Sequence, residues 1–132
     1  MTDALDAERI AVREALGYGA PHFPLADHYA KQGDEWMYGR GSHDKLTDSG
    51  DWREHIVLTE HRYMLEDTRM GLSFLTSVGE LAGVQTPLAR AFLAIGGAIV
   101  GEDFMVTGRT LKAMELGGYD KAGLQALLRD GF

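Results

Sequence analysis

Cysteine is absent from the 132 residues. Disulfides, thiol catalysis and zinc–thiolate sites are therefore excluded. No run of about 18 apolar residues occurs, so no membrane span is expected. Met1-Thr2-Asp3-Ala4 is acidic and has no signal-peptide pattern, and a cytoplasmic location is the default expectation. Positive charge is in deficit: 13 Lys and Arg face 20 Asp and Glu, a net charge of −7. Nucleic-acid-binding surfaces are usually basic, so a nucleic acid is not expected as partner. Period-two alternation, internal repeats and low-complexity tracts are also missing, which argues against strands and solenoids. What remains is ordinary for a soluble single domain: 45% hydrophobic and 25% charged residues. Glycine is frequent, at 17, which fits several short helices each ended by a glycine.

Residues 3–16 read as a first helix, capped by Thr2 or Asp3 and stopped by Gly17. Leu5, Val12 and Leu16 form its apolar stripe, alanines give it a small-residue surface, and Asp6, Glu8, Arg9, Arg13 and Glu14 solvate the rest. A short helix is expected over 25–31, with Pro24 at its start. Residues 34–50 are the least regular part. Trp36, Met37 and Tyr38 there either cover the core as a flap or face a substrate as a lid. Gly39-Arg40-Gly41 lacks the third glycine and the flanking strand of a dinucleotide fingerprint. His43, Asp44, Asp48, Asp51 and His55 match no metal-ligand spacing, so no metal is expected. Thr86 and Pro87 mark the start of a core helix over 88–100 that buries Leu88, Phe92, Leu93, Ile95 and Ile99. Gly96 and Gly97 allow a close backbone approach to it. A short helical piece is expected over 110–116, and Asp120 caps a last helix carrying Leu124, Leu127 and Leu128.

The chain is organised around one long helix over about 57–81. It is apolar nearly all round, as a central helix must be. At roughly 100° per residue, Arg62, Glu66 and Arg69 fall together with spacings that let charges meet. Asp67 falls with Tyr63, Met70, Phe74 and Val78, which aims a carboxylate at an apolar face. Burying it unpaired would cost several kcal/mol, so a donor or cation should meet it. Two roles stay open from the residues alone: a structural carboxylate that caps or pairs, or a site carboxylate that orients a histidine or a substrate. The fold expected is all-α, a compact multi-helix domain about one central buried helix.

Arg62-Tyr63-x-x-Glu66-Asp67-x-x-x-Gly71-Leu72 resembles the signature of the helical domain of the opine dehydrogenases, the octopine/nopaline dehydrogenase family. Leu5-Asp6-Ala7-Glu8-Arg9 with Ala15-Leu16-Gly17 resembles the family's helix leading into this region. Ala82-Gly83-Val84-Gln85-Thr86-Pro87 resembles its turn between core helices, and Gly108-Arg109-Thr110-Leu111 with Leu116-Gly117 its closing segment. The match spans nearly the whole chain. It implies the helical part of a two-domain enzyme that joins an amino acid to a 2-oxo acid and reduces the imine with a nicotinamide hydride. The implied catalytic pair is a histidine held by an aspartate, with an arginine gripping a substrate carboxylate.

Carried onto this chain, the resemblance makes Asp67 the partner of the histidine and Arg62 the carboxylate-binding arginine. Trp36, if its segment is a lid, is a further substrate contact. The histidine and the Rossmann domain that binds NAD(P) lie upstream in the family. The chain is therefore expected to be a single helical domain over 1–132 without a Rossmann domain, inactive and without cofactor by itself. Its expected partners are the amino acid and 2-oxo acid, a Rossmann domain or subunit from elsewhere, and a second copy in a homodimer. On an ideal α-helix, Arg62 and Asp67 lie about 140° apart, which sets the two assigned roles at odds. His61 sits about 120° from Asp67 on that wheel and is not a simple replacement for the missing histidine. Two other readings differ in class: a helical interaction or oligomerisation module without catalysis, and a small enzyme using His55, His61, Glu66 and Asp67.

Overall fold

A computed structural model describes residues 1–28 and 55–131. Every regular element among them is helical: α1 (Thr2–Ala15), α2 (Leu25–His28), a π-helical segment (Tyr63–Leu72) that continues into α3 (Ser73–Ala82), α4 (Pro87–Val100), α5 (Phe104–Thr107) and α6 (Lys121–Asp130). The all-α architecture is as the periodicities predict. Trp36, and the histidine and acids of the 43–51 stretch, lie outside the described residues.

The central element starts at Tyr63, not near 57, and its first ten residues are π-helical. Residues 58–60 form a turn before it. α3 is the hub and packs against α1, α4 and the π segment. Ser73, Thr76, Ser77, Val78 and Gly79 are all buried in it. Small side chains at those positions let the neighbours come close. A Cβ on Gly79 would sit 3.0 Å from the Thr86 methyl and 3.1 Å from the Val84 carbonyl oxygen. Gly83, at φ +73°, ends α3 in the left-handed conformation that glycine adopts without strain.

Two apolar clusters flank the hub. One joins Val12, Val78 and Leu111, with Leu16, Leu75 and Leu124 against it. The other joins Met64, Leu93 and Phe104. Gly96 makes the second possible, because a Cβ there would lie 2.8 Å from the Phe104 ring and 3.0 Å from the Met64 sulfur. At Gly97 a Cβ would collide with the Glu102 carbonyl oxygen. The close approach expected at Gly96-Gly97 is thus real, and it is what seats α5 on α4.

Several expectations need correcting. Ile95 and Ile99 do not enter the core: they are 58% and 46% exposed. Periodicity gives the apolar face of a helix, but α4 carries apolar residues on two faces and only one meets the hub. Residues 111–115 form turns, not a helix. α1 has no side-chain cap. Its polar residues are not simply solvating either. Asp6 accepts from Leu25 N at 2.7 Å and so caps α2. Glu8 accepts from Leu88 N at 2.7 Å and Ala89 N at 3.0 Å. Thr86 therefore does not cap α4 with its own side chain; a carboxylate from α1 does. Asp120 does cap α6, accepting from Gly123 N at 2.7 Å.

Candidate functional site

The π winding changes which residues share a side. Its hydrogen bonds run between residues five apart, so one turn holds roughly 4.4 residues and each residue advances by about 82°. Arg62 and Asp67, five apart, then differ by about 50° instead of 140°. The conflict between their two assigned roles comes from α-helical spacing, which the segment after Arg62 does not follow. Thr68 marks the same winding, donating from Oγ1 to the carbonyl of Tyr63, five residues back, at 2.9 Å. Wide helical turns of this kind recur at functional sites, where they re-aim side chains.

Asp67 is exposed, contrary to the expectation of a buried carboxylate with a partner. Two causes account for the difference. The segment is not wound at 100° per residue, and the apolar face that should have enclosed Asp67 is itself open, with Phe74 40% exposed. Among the described residues Asp67 has no hydrogen bond or ion pair. It nonetheless stands on the wall of a groove between α1 and the π–α3 element. That groove has a volume of about 440 Å³ and is also lined by Arg9, Val12, Arg13, Leu16, Gly71, Leu72, Phe74, Leu75 and Val78.

Arg62 is exposed and loosely held. Its Nε lies 3.8 Å from Glu66 Oε2, and its guanidinium carbon is 6.0 Å from the Tyr63 ring centre. A pair this exposed contributes little, so Arg62 can exchange Glu66 for another carboxylate. Arg69 does not join them as the wheel predicts; its Nη1 meets Glu102 at 3.3 Å. His61 accepts from Tyr63 N at 3.2 Å and packs on the Tyr63 ring at 4.5 Å. His55 is exposed. Among the described residues, no group of three or more His, Asp or Glu side chains is placed to hold a metal ion. No helix among them is long and apolar enough to cross a membrane.

Arg13 is the groove residue that the sequence does not reveal. It reads as one more solvated cation on α1. Its guanidinium instead lies 5.1 Å over the Tyr18 ring, and its Nε is buried without a hydrogen-bond partner among the described residues. Arg9, its neighbour in the groove, is already occupied. It bonds Asp6 at 2.6 Å and the carbonyls of His22 and Phe23 at 3.0 and 3.1 Å.

The fold and this site together describe a helical domain that presents an open groove with an acid and cations on its walls. Comparison with known proteins assigns its family. The model of the NAD/NADP octopine/nopaline dehydrogenase alpha-helical domain matches residues 1–100. The vitopine synthase of Allorhizobium ampelinum is 31% identical over 116 residues, which cover 86% of this chain and 31% of that protein. The opine dehydrogenase of Arthrobacter sp. (strain 1C) is 28% identical over 137 aligned positions, covering 96% of this chain and 34% of that enzyme. The chain belongs to the octopine/nopaline dehydrogenase family and carries its alpha-helical domain. It spans about a third of the length of the curated relatives it matches.

Proposed function

We propose that the chain is the substrate-binding helical part of an NAD(P)-dependent opine dehydrogenase, and that it is inactive alone. The observation that carries this reading is the placement of Asp67: unpartnered among the described residues and on a groove wall. In this reading Asp67 accepts a hydrogen bond from an imidazole brought by another part of the enzyme, which fixes its tautomer for proton transfer. Arg62 leaves Glu66 and grips the carboxylate of the 2-oxo acid through two parallel hydrogen bonds. Trp36, which lies outside the described residues, is assigned as a further substrate contact. The described residues contain no strand and no glycine-rich turn between strand and helix, so they do not fit a dinucleotide cradle. The cofactor is assigned to a Rossmann domain or subunit supplied elsewhere, and a cytoplasmic location belongs to the same reading.

The test is a fusion. The part of the Arthrobacter enzyme outside the matched segment is joined ahead of Met1, and NADH oxidation is followed with pyruvate and mixed amino acids. Oxidation that requires both substrates is expected, whereas the 132-residue chain alone should give none and should bind no NADH by calorimetry. Arg62→Lys should raise KM for the oxo acid about tenfold, since lysine cannot make the bidentate contact. A folded, NADH-binding fusion with no amino-acid-dependent rate would reject the assignment.

A second copy is the other partner in this reading. Ala91, Ala94, Ile95, Ala98 and Ile99 follow helical spacing on α4 and are all exposed. An uncharged face of this kind is self-complementary under a two-fold axis, which supports a homodimer. Sedimentation equilibrium should return twice the 14.5 kDa chain mass, and Ile95→Glu should return the monomer. A monomeric wild-type chain would remove this partner.

A further inference from the structure

A second cavity opens on another side of α3, between that helix and the 110–119 segment. Its volume is about 360 Å³. None of the described residues lines both this cavity and the groove beside Asp67. We infer that it is a binding site for a small organic oxyanion, a carboxylate or phosphate group on a short apolar body, with the charged end on Ser77, Thr110 and Lys112. This site stands apart from the dehydrogenase reading and does not depend on it.

Two buried hydroxyls form the polar end. Ser77 is 7% exposed and Thr110 9%, and both line the cavity. Each oxygen already accepts a backbone N–H: Ser77 Oγ from Leu111 N at 2.7 Å, and Thr110 Oγ1 from Ala113 N at 3.1 Å. Those bonds hold both oxygens in place and leave each hydroxyl with a proton to donate. Among the described residues no acceptor meets either proton. Lys112 lines the same cavity and brings a compact cation. Its ammonium makes no hydrogen bond or ion pair among the described residues. Two fixed hydroxyl donors and a cation on one cavity wall suit a charged oxygen acceptor. Glu80, also in the lining, is already paired with Arg90.

The 110–119 segment is folded so that this end is kept in shape. Leu116 N donates to Leu111 O at 2.8 Å and Glu115 N to Lys112 O at 3.1 Å. Glu115 takes the left-handed conformation, at φ +62°, a strained state for a residue with a side chain and one that clusters at ligand sites. A Cβ on Gly117 would lie 3.2 Å from the Lys112 Cα, so the bare glycine lets the chain fold back onto Lys112. The rest of the wall is apolar and comes from Leu81, Met105 and Leu111. That surface meets the body of the ligand, and the volume falls in the range of small-molecule pockets.

The experiment uses the full 132-residue chain, labelled with nitrogen-15 and held at constant ionic strength. It is titrated separately with butyrate, butyl phosphate, inorganic phosphate and 1-butanol. Each is taken to about 50 mM, because so small a ligand is expected to bind at millimolar concentration. Butyrate, butyl phosphate or both should shift the Ser77, Leu111, Lys112 and Gly117 amides saturably and leave Gly71, in the other groove, unmoved. Whichever binds identifies the source of the oxyanion. Inorganic phosphate and butanol should each bind at least about tenfold more weakly, since one lacks the apolar body and the other the charge. Lys112→Gln should weaken the binding about tenfold and Lys112→Arg should keep most of it. Lys112 is exposed, so neither variant should alter the circular-dichroism melt. No saturable shift with either organic oxyanion, shifts centred on Gly71, or shifts that survive Lys112→Gln overturn the site. Butanol binding as tightly as the oxyanions overturns the charge requirement, and inorganic phosphate doing so overturns the apolar body. The fusion's turnover remains the separate test of the dehydrogenase activity.

Discussion

Asp67→Asn should lower kcat of the fused enzyme by about 10²- to 10⁴-fold, the range that a positioned acid–base group contributes. Asparagine keeps the size of aspartate but turns a pure acceptor into a group that also donates. It cannot stabilise a charged imidazole, and it favours the wrong tautomer. KM for the oxo acid should change little, because Arg62 is untouched. Stability should change little as well, because the exposed Asp67 carboxylate has no hydrogen-bond partner among the described residues. The combination separates a catalytic role from a structural one. A large fall in Tm with modest loss of kcat would make Asp67 a structural carboxylate, the plainer of the two roles open from the residues.

The second large effect is on stability and lies far from the groove. Glu8→Ala removes the carboxylate that accepts from Leu88 N at 2.7 Å and Ala89 N at 3.0 Å. Both donors are first-turn N–H groups of α4, with no partner inside their own helix. Hydrogen bonds to a charged acceptor are worth about 1.5–3 kcal/mol each. The carboxylate also meets the positive end of the helix dipole. Partial exposure reduces the sum, and a loss of about 3 kcal/mol is expected. For a domain of this size that lowers Tm by roughly 10–15 °C in a circular-dichroism melt. Glu8→Gln should recover part of it, since the amide oxygen still accepts one of the two bonds. A shift under about 2 °C for Glu8→Ala would mean that water replaces the cap at little cost.

Local signals in this chain were legible where local chemistry decides the outcome. Asp120 caps α6 as its position before a leucine-patterned run predicts, and Gly83 stops α3 in the left-handed conformation. Glu8 was not legible, because the helix end it serves is 80 residues away in sequence. Nothing in α1 alone distinguishes it from Glu14, which is exposed. Ile95 and Ile99 show a different limit. Their spacing is that of a core face, but α4 has two such faces and only packing selects between them. The π segment left no compositional mark. Its one trace in the sequence was the disagreement between Arg62 and Asp67, which family roles bring together and α-helical spacing drives apart. Arg13 escaped notice because a cation on an amphipathic helix reads as solvent-facing until its neighbours are placed.

Hydrogen exchange on the fused enzyme, with and without its N-(carboxyalkyl) amino acid product, tests most directly whether the π segment faces the substrates. Slowed exchange across residues 63–72, and at α1 around Arg13, is the expected result. Unchanged exchange there in an enzyme that turns over would place the substrates on another surface and contradict the account.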